Sequence, residues 1–454
     1  MSQQVPAAVA ALLGAMQDSP AVPDGWDVAL HLSEPSVQSV VRSNWNGTSQ
    51  TGSSLVWVSP NAVNGQHDVV EVNSNLPPPA VSLNAASQAV HVNFGIDNGT
   101  QRTGKLPAET MHLFDPNSAG GRGTILWGQT VAITPQSPLQ LAGPIPVGVQ
   151  AADDGRSFSI GLNRANANLT LSSPANAGMF AQSPNQSLDQ WLPAAALSGQ
   201  IGNLTRQTGA GATVLTPASV ATRVATSVGG QPVLQILTGS SPGATAPPVS
   251  APVSHPDTHD FSLIVSSKAI MAMIASGYNV GTGVIKLDAV PPQDGQLHWF
   301  AQVHEPMVFQ GTFGNQNGDV YLTDNSKLYL RFGGSTDQGL KLFTFIDPAS
   351  TVQLQLDLAA HYPTGISGAG ADQVVGLQEG AQSVAGNGFY EAIVQPQLEA
   401  FLKGDIRSDM TNVRMTAISD LILRDLALSG HGLQFEVSAL PAELLIAGSL
   451  VPHA

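Results

Sequence analysis

Few residues of this chain stand in an arrangement that could make or break bonds. Gly239-Ser240-Ser241-Pro242-Gly243 matches G-x-S-x-G, the pattern by which a hydrolase presents a serine on a sharp strand-to-helix turn. Here Pro242 follows the serine and the pattern opens a proline-rich run, not a helix, so Ser241 is not expected to be a nucleophile. His304-Glu305 lacks the second histidine of a metalloprotease helix, and His67, His112, His298 and His361 fall at no ligand spacing. These histidines read as exposed or singly hydrogen-bonded side chains. Gly368-Ala369-Gly370-Ala371-Asp372 opens like a dinucleotide loop but has no correctly placed third glycine. Asp153-Asp154-Gly155 and Gly318-Asp319 with Asp324 lack a calcium-loop ligand sequence and read as hairpin turns. The chain contains no cysteine, which excludes disulfides, thiolate metal sites and cysteine nucleophiles. A non-enzymatic protein with no metal and no cofactor is expected.

What remains to explain the chain is therefore its shape and its apolar surface. Of 454 residues, 17 are basic and 32 acidic, for a net charge of −15; that sign is wrong for tracking phosphates, so no nucleic acid partner is expected. Charged residues make up 11% and hydrophobic ones 42%, enough apolar side chain to fold a large core beneath a surface of Ser, Thr, Asn and Gln. The 46 Gly and 32 Pro point to many turns and few long helices. Near the start, the apolar patch from Val5 to Met16 has no Lys or Arg before it, so it reads as a frayed helix in an N-terminal tail, 1–22, and not as a signal peptide. A soluble protein is expected, cytoplasmic or exported by a route without a classical signal.

Short alternating runs broken by Gly, Pro, Asn and Asp read as strands at Leu55–Val58, Ala89–Ile96, Thr124–Ile133, Phe158–Leu162 and Asn168–Leu171. The same texture returns after Gly295, in LHWFAQV, MVFQGTF, DVYLTD, KLYLRFGG, LKLFTFI and TVQLQLDLAAHY, and again in the last segment, LILRDLALSGHGLQFEVSAL followed by ELLIAGSLV. Helices are expected at Phe389–Lys403 and, in the first half, at Leu188–Leu197 or Ser219–Val228. Between the two strand-rich regions lies Gly239–Asp257, whose Pro, Ser and Ala content suits an exposed, semi-rigid linker.

The most informative feature is an internal repeat. Residues 28–45, VALHLSEPSVQSVVRSNW, align without a gap on residues 261–278, FSLIVSSKAIMAMIASGY, at an offset of 233. In both, apolar residues alternate up to a serine and then recur at helical spacing, so each predicts a strand, a serine N-cap and an amphipathic helix. Pro35 suits the first helical turn, which needs no amide donor. The repeat divides the chain into a first module, 23–238, the linker 239–257, and a second module, 258–454.

Two halves that each open strand, serine, helix and continue into an antiparallel meander resemble the tubular lipid-binding (TULIP) superfamily. GWDVALHLSEPSVQSVVRSNW is similar to the opening of its forty-seven-kilodalton accessory proteins from clostridial neurotoxin gene clusters and their OrfX-type relatives. The resemblance implies an elongated, β-rich α+β fold: two modules, each a strongly curved antiparallel sheet wrapped around a long helix with an apolar groove between them. It implies a lipid, a fatty acid or another hydrophobic small molecule as ligand, with transient membrane contact. The groove would be lined by Leu30, Leu32, Val37, Val40 and Val41 in the first half and by Leu263, Val265, Ile270, Met273 and Ile274 in the second. Met271 and Met273 would give the second wall a soft, adaptable surface. The same stripes also suit a self-filled core, in which case the chain acts as an accessory protein with a protein partner in a toxin-type complex. A carbohydrate-binding β protein would suit the polar composition but leaves the strand-serine-helix repeat without a role.

Overall fold

The structure is a computed structural model. It describes residues 7–44, 54–59, 61–74, 77–114, 124–151, 153, 158–173, 176–181, 198–201, 216–245, 247–248, 250–270, 287–290, 300–303, 307–313, 316–322, 327–332, 339–345, 355–369, 373–377, 382–387, 431–439 and 443–452. The expected helices at Phe389–Lys403 and Leu188–Leu197 lie outside these residues.

The chain opens with α1 (Ala7–Asp18), β1 (Val28–Ser33) and α2 (Glu34–Asn44). Eleven strands follow: β2 (Ser54–Val58), β3 (Gln66–Asn73), β4 (Ala80–Asn84), β5 (Ala89–Ile96), β6 (Thr100–Pro107), β7 (Leu126–Ala132), β8 (Leu139–Ala151), β9 (Phe158–Leu162), β10 (Thr170–Ser173), β11 (Asn176–Ala181) and β12 (Ser198–Ile201). Then come β13 (Ser219–Thr226), β14 (Pro232–Gly239) and β15 (Phe261–Val265). A long run completes the chain: β16 (Leu287–Val290), β17 (Phe300–Val303), β18 (Met307–Phe313), β19 (Gln316–Leu322), β20 (Lys327–Phe332), β21 (Gly339–Phe345), β22 (Gln355–Ser367), β23 (Val374–Leu377), β24 (Gln382–Asn387), β25 (His431–Ala439) and β26 (Leu444–Pro452).

Every strand pairing among the described residues is antiparallel, and the fold is β-rich as expected. The sheet that organises the molecule has six strands in the order β13-β14-β1-β15-β26-β25. It collects the two repeat strands at its centre and a hairpin on either side. β8, β5, β4, β10 and β11 form a second sheet with β9 and β12, and β2-β3-β6-β7 a third. Expected strands at Ala89–Ile96 and Phe158–Leu162 coincide with β5 and β9.

Val28, Leu30 and Leu32 point to one side of the central sheet with Ile236, Leu234, Leu263 and Ile446, while Ala29 and His31 point to the other. Both faces are buried, which explains why these strands are nearly continuous apolar runs. Helix α2 covers the first face, inner to the fold, and sits between β1, β14 and β4. Its cap is the expected one: Ser33 Oγ accepts the Ser36 amide at 3.3 Å. In the second half, Ser266 Oγ accepts the Ala269 amide at 3.2 Å, and the Ile270 amide donates to the Ser266 carbonyl at 3.0 Å, closing a first helical turn. The two capped amides stand at equivalent places in the repeat.

Three expectations differ from the structure. Helix α1 is docked, not frayed: Val9, Leu12, Leu13 and Met16 are buried with Trp26, Ala29, Leu237, Ile264, Leu445 and Ala447 on the outer face of the central sheet. The Glu443 carboxylate accepts the Ala21 and Val22 amides at 2.6 and 3.1 Å, fixing the helix's exit to β26. Burying such side chains is worth ~1.5 to 3 kcal/mol each, and of their partners Leu445 and Ala447 lie more than four hundred residues away in sequence. Ser219–Val228 is not a helix; Ser219–Thr226 is strand β13, in which Val220, Thr222, Val224 and Thr226 are β-branched at every second position and pair with β14. Finally, part of the expected exposed linker Gly239–Asp257 is fastened to the sheet. Pro242, Gly243 and Pro252 are exposed, yet the Arg223 guanidinium donates to the Pro248 and Ala251 carbonyls, and Val253 exchanges backbone bonds with Thr226 and Val228. An extended Pro-rich chain leaves its carbonyls unpaired, and here the sheet edge supplies their donors.

Candidate functional site

The apolar stripe expected to line a groove converges on the inner face. Leu30 and Leu32 on β1 stand beneath α2, whose Val37, Val40 and Val41 face inward, and Leu263 and Val265 continue the surface on β15. These seven and Ile270 are each at most 1% exposed. Met273 and Ile274 lie outside the described residues, as does Met271.

The remaining side of α2 is polar for a structural reason. Glu34 and Gln38, one turn apart, accept the Leu83 and Val81 amides of β4 at 2.7 and 2.5 Å, and Gln38 donates to the Pro79 carbonyl at 3.1 Å. They satisfy the backbone of a sheet edge. The helix is thereby held at the rim of the second sheet while its apolar stripe covers the central one.

The outer face carries a polar constellation that the sequence reading did not single out. Arg223, Gln235, His31 and Ser262 occupy one cross-strand row on β13, β14, β1 and β15. Arg223 Nε donates to Gln235 Oε1 at 2.5 Å, Gln235 Nε2 lies 2.9 Å from His31 Nε2, and His31 Nδ1 lies 3.0 Å from Ser262 Oγ. Ser262 Oγ also meets His255 Nδ1, from the Pro-rich segment, at 2.9 Å. His31 and Ser262 have no exposed surface. Burial pushes the His31 imidazole well below the usual histidine range, helped by the nearby His255 and Arg223. Burial likewise lowers His255 to about 4, partly offset by Asp257. The legible signal was a single polar residue inside each of three apolar runs, Val28–Leu32, Val233–Leu237 and Phe261–Val265. In strands buried on both faces, such residues must find one another.

Of the histidines read as singles, His67 bonds the Ser59 carbonyl through Nδ1 at 2.7 Å. Ser241 lies just past β14 and its carbonyl accepts the Ser219 hydroxyl at 2.9 Å. Among the described residues no group of three or more His, Asp or Glu side chains could hold a metal ion, and no helix is long and apolar enough to cross a membrane.

No family model matches the chain, and no curated protein matches it in sequence. Solved structures do. The fold is similar to that of P47 from Clostridium botulinum A2, over 94% of this chain and 97% of that one, with a TM-score of 0.52 at 11% identity. P47 of Clostridium botulinum E1 aligns over 94% and 99% with a TM-score of 0.48 at 9% identity. A lipopolysaccharide binding protein aligns over 94% and 99%, with a TM-score of 0.36 at 8% identity. The resemblance read from the two opening segments is met at the level of fold by P47 from Clostridium botulinum A2, at 11% identity.

Proposed function

We propose that this protein binds, and sequesters or transfers, a lipid or another long apolar ligand between α2 and the inner face of the central sheet, without catalysing a reaction. The observation that carries this reading is the continuous apolar lining formed by Leu30, Leu32, Val37, Val40 and Val41, in a fold similar to P47. Glu34 and Gln38 of α2 are turned aside to β4, which keeps these two polar side chains out of the apolar lining. Acyl burial is worth ~0.8 kcal/mol per methylene, so a long chain supplies roughly 10 kcal/mol before ordering costs. With these side chains fully buried, entry requires α2 to separate from the sheet.

That same burial favours a second reading, an accessory protein whose grooves are filled by its own side chains and whose function lies on its outer surface. One pair of measurements separates the two. Solvent extraction and mass spectrometry of gently purified protein should recover near-stoichiometric lipid. Val41→Trp overpacks a site with no exposed surface, at a cost of ~1 to 3 kcal/mol, and should abolish uptake of a fluorescent fatty acid at temperatures where the variant remains folded. Absence of lipid, no uptake by the wild-type chain and a purely destabilised Val41→Trp would leave the accessory reading.

A further inference from the structure

The outer face of the central sheet is covered by two different elements. Helix α1 lies on the apolar half, over Ala29 and Ile264. Residues 250–257, a strap with Pro248 shortly before it, lie on the half that contains His31 and Ser262. The strap is fastened by Arg223 to two carbonyls, by backbone bonds through Val253, by Ser227 Oγ to Asp257 Oδ1 at 2.5 Å, and by His255 to Ser262. Of these fastenings, the histidine contact sits deepest.

Donor and acceptor roles along this row are forced from one end. A guanidinium can only donate, so Arg223 fixes Gln235 Oε1 as acceptor, and Gln235 Nε2 must donate to His31 Nε2. His31 therefore keeps its proton on Nδ1 and gives it to Ser262 Oγ. The Ser262 hydroxyl then donates to His255 Nδ1. The His255 proton is left on Nε2, which is buried and meets no acceptor among the described residues. One added proton on His31 sets two donors face to face at Gln235, and one on His255 makes its Nδ1 a donor, so that the Ser262 hydroxyl, already accepting from His31, loses the acceptor for its own proton. The two rings are 6.1 Å apart, and His31 already lies within reach of the Arg223 charge.

We propose that the strap is an acid-released clasp: it holds while His31 and His255 are both neutral and lifts from the sheet when they gain protons. The charged groups around them are Arg223 on β13, Asp257 and Asp260 flanking the strap's end, His259, and Glu436 of β25, 3.7 Å from His259. Asp257 and Asp260 oppose the effect on His255 but leave it lowered. Because both docked rings bind protons less readily than free histidine, the lifted form gains protons first as pH falls below about 6.5. With His255 at about 4 when docked, the lifted population rises roughly 30-fold at pH 5 for that ring, and His31, lowered in the same direction, adds to the rise. This inference does not rest on the ligand-binding reading.

The chain has no cysteine, so Ser250→Cys, at an exposed position of the strap, accepts a single nitroxide label in the full-length protein. Spin-label mobility is followed from pH 8 to pH 4.5 and back, with far-UV circular dichroism alongside. The expected result is an immobile label at pH 8 and a reversible mobile component growing below about pH 6 while the β signal persists. His255→Gln should move that transition to lower pH. A second measurement needs no variant in the row: imidazole ¹⁵N shifts of histidine-labelled wild-type protein should show two rings neutral below pH 6 until the strap lifts. The proposal is overturned by a label that stays immobile at pH 4.5, by release only with global unfolding, or by release unchanged in His255→Gln. It is equally overturned if His31 and His255 titrate near 6.5 with the strap docked.

Discussion

Leu30 lies directly opposite Leu263, its own counterpart in the repeat, in the antiparallel pair of β1 and β15. An antiparallel pairing centred on equivalent residues has a local two-fold axis, and the hydrogen bonds around it obey that axis. The Ser33 amide donates to the Asp260 carbonyl at 2.9 Å, and the Ser266 amide donates to the Asp27 carbonyl at 2.8 Å. Asp27 Oδ2 accepts the Ser240 amide past β14, while Asp260 Oδ2 accepts the Leu450 amide of β26. The two repeat segments thus meet as two copies of a homodimer would, through one patch used twice.

Such a seam should be cooperative. Leu30→Ala and Leu263→Ala each remove a fully buried side chain and should cost ~2 to 5 kcal/mol in urea unfolding. Because the two side chains share one packing site, the double variant should depart from the sum by at least ~0.5 kcal/mol. Strict additivity would show that the two leucines do not pack together.

Both edges of the central sheet are closed by the same device. The Gln88 side chain donates to the Val224 carbonyl and accepts the Val224 amide on β13; Gln373 does the same to Phe435 on β25, at 3.2 and 2.7 Å. A side-chain amide standing in for the next strand's peptide denies that site to another chain. Gln88→Ala and Gln373→Ala should each cost ~1 to 3 kcal/mol by leaving a buried peptide unpaired. Light scattering should show concentration-dependent association in both variants, and unchanged scattering would assign the glutamines a purely local role.

Much of this arrangement was legible in the sequence because it is written in short-range periodicity. The alternation of Ala89–Ile96 specifies β5, and the switch of period at Ser33 and Ser266 specifies two capped turns. What was not legible depends on distant partners. Val9 and Met16 look like a fraying patch until β26 provides their surface, and Pro248 looks like a free linker until Arg223 reaches it. His31, Gln235 and Ser262 lie far apart in the chain, and only the strand register makes them one row. Ser219–Thr226 shows the converse, since its apolar residues fit a helical stripe as well as a strand and pairing with β14 decides.

Substitution at Gly229 should dislodge the strap without touching a histidine. A Cβ on Gly229 would lie 1.6 Å from Asp257 Oδ2, and that carboxylate cannot swing aside without breaking its bond to Ser227. Gly229→Ala should therefore raise amide hydrogen exchange at 253–257 at neutral pH while leaving exchange in β15 unchanged. Equal protection in both proteins would mean that Asp257 does not fasten the strap.

Glu443 should make docking of the N-terminal segment depend on pH in the sense opposite to the histidines. Burial raises its carboxyl from 4.5 to about 7, against the opposing bonds from the Ala21 and Val22 amides. A folded-state value above the unfolded one means that the full contribution is present below about pH 4.5 and is lost as pH rises through 7. The loss over that window is at most ~3 kcal/mol. Glu443→Gln keeps an oxygen to accept both amides and removes the titration. Urea midpoints of the wild type should thus fall from pH 6 to pH 8 more steeply than those of the variant, and the variant should be the more stable at pH 8. Parallel pH profiles would show that Glu443 is ionised in the folded protein throughout, held so by those two amides.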